Sequence, residues 1–159
     1  MQLLTSNVAC LMKLRLKKAI KSLGENKYCT KTIVDVSRTI LEHHHGDKFE
    51  DLCFIDSSTN KSLSKMDYRE RKQEVLPTKA MKQMAINNPN IISIHNHPTD
   101  ALPSYEDVKT CYLIGYKYGL VICHGGSIYQ YNQGQRSFFG SYTMHRTLRK
   151  CFLEKSTSA

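Results

Sequence analysis

The segment 91–108, IISIHNHPTDALPSYEDV, constrains this chain most. Ile91-Ile-Ser-Ile-His95 reads as a strand, and side chains alternate along a strand, so His95 and His97 share one face. Pro98 cannot donate to a β-ladder and ends the strand. A short loop then leads to a helix starting at Ser104, whose first turn holds Asp107 and can turn that carboxylate back toward the two imidazoles. Two neutral imidazoles and one carboxylate leave a fourth tetrahedral position open, the ligand pattern of catalytic zinc. Zinc in such a site lowers the pKa of water to about 7.

Each residue also has a purely structural reading. Ser104-x-x-Asp107 matches a capping box, in which both side chains serve the helix start. A lone HxH occurs on surface strands by chance. The succession of strand, HxHP, short loop, SxxD and helix favours a metal site over coincidence.

Such a site needs a group that moves protons. Glu50 opens the apolar run Glu50–Asp56 (EDLCFID), which reads as a buried strand, and is the candidate general acid/base. Asp51 is its rival, but neighbours on a strand face opposite ways, so only one can serve. The Ser104 hydroxyl is a candidate donor to an oxyanion developing at a scissile carbonyl.

The rest of the chain alternates helical and strand patterns. Residues 8–23 are amphipathic, with Gly24 as a stop, and 30–44 form a second helix with Thr30 as cap and Gly46 as terminator. Asp56–Asn60 is a turn and 61–76 an edge strand. Pro77 and Thr78 open a helix to about Asn87, with Ala80, Met81, Met84 and Ala85 inward. The helix from Ser104 runs to about Tyr118. Residues 119–124 and 127–131 are strands around the Gly125-Gly126 hairpin signal, and 141–154 suggest a final helix. The expected class is α/β (α+β): a mixed sheet flanked by helices. The division is an N-terminal helical extension (1–44), a metal-dependent core (45–131) and a basic tail (132–159).

The net charge of +9 is unevenly spread. Residues 1–49 hold nine Lys/Arg against four Asp/Glu, residues 50–131 nine of each, and residues 132–159 five against one. The excess therefore sits in the flanks, where it suits either solvated helix faces or phosphate contacts. No stretch reaches the roughly 20 apolar residues of a membrane helix. The N-terminus lacks the pattern of a signal peptide. Six cysteines without a CxxC pair argue against a thiolate zinc knuckle, and free thiols in a reducing cytoplasm are expected. Cys111 and Cys123 read as core. His43, His44 and His45 stand at a helix end and suit its negative pole. His124 reads as a turn residue, and Tyr105 either lines a channel or covers the core.

The pattern of an upstream Glu, HxHP and SxxD resembles the JAB/MPN (JAMM) metalloprotease family. The wording HNHP looks more like the bacterial RadC-type and phage-associated branches than the eukaryotic deubiquitinases, which usually read HSHP. HGDKFEDL (45–52) with Cys53–Asp56 looks like the Glu-bearing strand of phage-type members, and the resemblance covers roughly residues 45–131. It implies a JAMM/MPN-like, cytidine-deaminase-like fold. It makes His95, His97 and Asp107 ligands of Zn2+, Glu50 the general acid/base and Ser104 the oxyanion stabiliser. The implied reaction is hydrolysis of a peptide or isopeptide bond, often after the C-terminal glycine of a ubiquitin-like protein. Six residues separate His97 from Ser104 where the commonest pattern has seven, so Glu106 stands as a reserve ligand. Two further readings are a RadC-like nucleic-acid-associated module, and a non-enzymatic phage or prophage interaction domain that keeps the metal fold.

Overall fold

The computed structural model describes residues 16–43, 48–67 and 76–132. Residues 16–21 are helical (α1), followed by α2 (Lys27–His43), β1 (Asp51–Asp56), β2 (Lys61–Asp67), α3 (Lys79–Ile86), β3 (Ile91–His97), α4 (Tyr105–Ile114), β4 (Tyr118–Cys123) and β5 (Ile128–Tyr131). The strands form one sheet in the order β2-β1-β3-β4-β5. Only the β3–β4 pairing is parallel, with α4 in the connection between them, and the other three pairings are antiparallel. This is a mixed five-stranded sheet with helices on both faces. Among the described residues, no helix is long and apolar enough to cross a membrane.

Strand alternation divides the core in two. Cys53, Ile55, Ile92, Ile94, Leu120 and Ile122 face α1 and α2, packing on Ala19, Ile20, Ile33 and Ile40. Leu52, Phe54, Ile91, Val121 and Cys123 face α3 and α4, packing on Met81, Ala85, Val108 and Cys111. Residues 16–43 are thus part of the sheet's own core. Lys117 pairs with Glu25 at 2.7 Å and the Tyr118 hydroxyl donates to the same carboxylate, tying the α1–α2 connection to β4.

Several boundaries differ from the sequence reading. Helix α2 starts at Lys27 because the Asn26 side chain caps it, accepting from the Tyr28 and Cys29 amides. Thr30 is instead a buried first-turn residue whose hydroxyl donates to the Glu25 carbonyl. In α3 only Met81 and Ala85 are buried, while Ala80 and Met84 face solvent, because eight residues present just one short stripe to the sheet. Helix α4 stops at Ile114, earlier than Tyr118, because Gly115 takes a left-handed conformation (φ 87°) that frees Tyr116 and Tyr118 for the core. The proposed terminator Gly46, the start of the first helix, the C-terminal helix 141–154 and the basic tail lie outside the described residues.

One glycine is set by close approach. Gly119 stands opposite Tyr131 in the β4–β5 register, and a Cβ there would sit 2.0 Å from the Tyr131 Cζ. The Tyr131 ring is buried and cannot swing away cheaply. Gly119→Ala is therefore expected to destabilise the fold by about 1–3 kcal/mol, the usual cost of overpacking, as measured by denaturant unfolding. Replacing Tyr131 with Leu in the same chain should recover part of that loss.

Candidate metal centre

β3 brings His95 and His97 onto the α4 face of the sheet, two residues apart, as alternation requires. Their Nε2 atoms are 3.2 Å apart. The Asp107 carboxylate comes from the first turn of α4, with Oδ1 3.3 Å from His95 Nε2 and Oδ2 3.8 Å from His97 Nε2. One donor atom from each residue lies within 4.8 Å of the others. Metal–ligand bonds of about 2.0–2.1 Å in a tetrahedron put ligand atoms about 3.3 Å apart. The donor set and spacing therefore could hold a small divalent cation, with the Asp107 carboxylate closing slightly on His97.

The two readings of Ser104 and Asp107 turn out to be compatible. The Ser104 amide donates to Asp107 Oδ2 at 2.6 Å and the Asp107 amide donates to Ser104 Oγ at 3.1 Å, completing a capping box. The other carboxylate oxygen, Oδ1, is turned to His95. The cap thus holds the carboxylate in the orientation the site needs. With the six-residue loop, Asp107 and not Glu106 stands with the two histidines, and Glu106 pairs with Lys109 at 3.2 Å.

Outer contacts orient the imidazoles. His97 Nδ1 lies 3.1 Å from the Ala101 carbonyl, which can only accept, so Nδ1 carries the proton and Nε2 presents its lone pair to the site. The Cys123 thiol donates to that same carbonyl. The Tyr131 ring stands edge-on to His95, with centroids 6.3 Å apart. Sequence reasoning missed this wall; the pairing of Gly119 with an aromatic across a hairpin was its only trace.

Glu50 and Asp51 separate as strand alternation demands. Glu50 Oε1 is 3.8 Å from His97 Nε2, on the α4 face. Asp51 points through the other face to His43, with Oδ2 2.7 Å from Nδ1. His43, in the last turn of α2, therefore has a carboxylate as a partner. His44 and His45 lie outside the described residues. A cleft of about 210 Å³ opens beside Glu50, His97, Ser104 and Asp107, with Leu76 and Leu102 on its walls. Tyr105 is 62% exposed with the Lys109 ammonium over its ring, so it does not cover the core.

Burial acts against the charge on His95, but the Asp107 carboxylate, bonded to the ring, outweighs it with help from Glu50, and the ring's pKa is raised. Burial likewise pushes the Asp107 carboxyl up, yet His95 and the Ser104 bonds hold it well below the usual carboxylate range. The signs give opposite pH limits for the metal-free protein. The His95 contribution is complete below the ring's ordinary 6.5 and is lost as pH rises through its raised value. The Asp107 contribution is complete above the ordinary 3.8 and is lost as pH falls through its lowered value. Thermal melts of chelator-treated protein should therefore peak in mildly acid buffer and decline on both sides. A metal ion held by His95 would replace that ring's proton, so saturating divalent metal should remove the alkaline decline.

Burial also pushes the thiol of Cys29 up to about 11, and those of Cys111 and Cys123 up to about 12. Cys29, Cys53, Cys111 and Cys123 are buried thiols outside any disulfide, and none joins the candidate ligand cluster. No protein-family model, curated protein or solved structure matches this chain.

Proposed function

We propose that this chain is a zinc-dependent hydrolase of the JAB/MPN (JAMM) type that cleaves a peptide or isopeptide bond. The observation that carries the reading is the convergence of two imidazoles and one carboxylate on a point bordered by a second carboxylate and an open cleft. His95, His97 and Asp107 would hold the ion. Zinc there supplies a Lewis acid and makes hydroxide accessible at neutral pH.

The protein's own groups do the rest. Glu50 takes a proton from the attacking water and passes it to the leaving amine, which keeps the proton count balanced. Its burial beside His97 suits a carboxylate that must exchange protons without wide movement. Ser104 uses its oxygen to accept the Asp107 amide, which leaves its hydroxyl hydrogen available for an oxyanion in the cleft. Leu76 and Leu102 give the cleft apolar walls that suit an extended chain with small residues at the scissile bond, such as a glycine-ended or ubiquitin-like tail.

The test is zinc uptake by tag-free protein at neutral pH, followed by a panel of glycine-ended and isopeptide substrates. Cleavage abolished by a chelator and restored by zinc is the expected result. Failure to take up zinc under those conditions would sink the proposal.

A further inference from the structure

The backbone register between β1 and β3 runs from Asp56↔Ile91 to Leu52↔His95 and stops there. Glu50 lies two residues beyond the last pair. The buried side chain of Asn96 takes over from the ladder at this point. Its Oδ1 accepts from the Asp51 amide at 2.7 Å and its Nδ2 donates to the Phe49 carbonyl at 2.9 Å. The same Nδ2 lies 3.2 Å from His124 Nε2. An N–H on one side and a carbonyl on the other fix which end of the amide is which.

We infer that Asn96 is a positioning residue for Glu50: its amide grips the peptide groups on both sides of Glu50 and sets where that carboxylate stands relative to His97. Asn96 does not touch the site itself. It shares the α2 face of the sheet with Ile92 and Ile94, and the histidines project from the opposite face. The middle residue of HNHP thus serves the proton-moving carboxylate through the backbone, with His124 bracing its free side. A shorter side chain cannot span both peptide groups. The inference rests on the proton-transfer role proposed for Glu50.

The full chain loaded with cobalt(II) provides a readout that needs no substrate: the pH midpoint of its visible absorption change. Removing a carboxylate charge beside the ion through Glu50→Gln is expected to move that midpoint by about one pH unit. Asn96→Ala should move it in the same direction by at least half as much, with metal stoichiometry retained. The double variant should land on the Glu50→Gln value. A merely structural amide would lower the melting temperature and leave the midpoint where it was. If Asn96→Ala does not fold, Asn96→Ser decides by the same measurement. A shift in Glu50→Gln with a wild-type midpoint in the Asn96 variant overturns this inference alone. No shift in Glu50→Gln removes the proton-transfer reading, and this inference with it.

Discussion

Asp107→Asn is expected to reduce bound metal from about one ion per chain to background, measured by elemental analysis of tag-free protein. Losing only an outer hydrogen-bond partner of a ligand costs roughly 10–100-fold in metal affinity, and losing a ligand costs more. The substitution is chosen because Asp107 has two duties. An amide oxygen still accepts the Ser104 amide proton, so the start of α4 survives and the far-UV circular dichroism should be unchanged. The charge facing His95 disappears, so the pH dependence of the metal-free protein should flatten. Ser104→Ala gives the opposite pattern: metal is kept, and stability falls by about 1 kcal/mol through the lost cap. Full metal occupancy in Asp107→Asn would show that this carboxylate is not a ligand.

Glu50→Gln is expected to lower turnover by roughly 10²–10⁴-fold, the usual contribution of a positioned acid/base, on any panel substrate that the wild type cleaves. Metal content should stay unchanged, since Glu50 lies outside the three-residue ligand set. Asp51→Asn is the control. Its carboxylate meets His43 on the opposite face, so its loss should cost stability and leave turnover largely intact. Full activity in Glu50→Gln together with inactivity in Asp51→Asn would reverse the assignment.

The candidate metal-binding cluster is legible in sequence because it depends on local periodicity. His95 and His97 share a face through a two-residue repeat, and Asp107 is tied to Ser104 by a four-residue cap. The same repeat allows only one of Glu50 and Asp51 to serve, and the structure puts Glu50 on the side of the histidines. What stayed hidden depends on contacts remote in sequence. Asn96 acts on Phe49 and Asp51 across the sheet, 47 and 45 residues away. His124 is the turn residue its sequence suggests, with its amide on the His97 carbonyl, but nothing near it in sequence announces the Asn96 amide. Thr30 reads as the cap of α2, but the helix begins a turn earlier, where the Asn26 side chain accepts from the Tyr28 and Cys29 amides. Ala80 and Met84 read as inward because they are apolar, but a two-turn helix buries only a narrow stripe.

The carbonyl of Ala101 receives both the His97 ring and the Cys123 thiol, and it belongs to the main chain. Side-chain replacement at that position leaves the oxygen behind, while adding or removing a residue moves it away. Natural drift can therefore change the letter at Ala101 itself, whereas each change of span between Pro98 and Pro103 detunes the imidazole that leans on it.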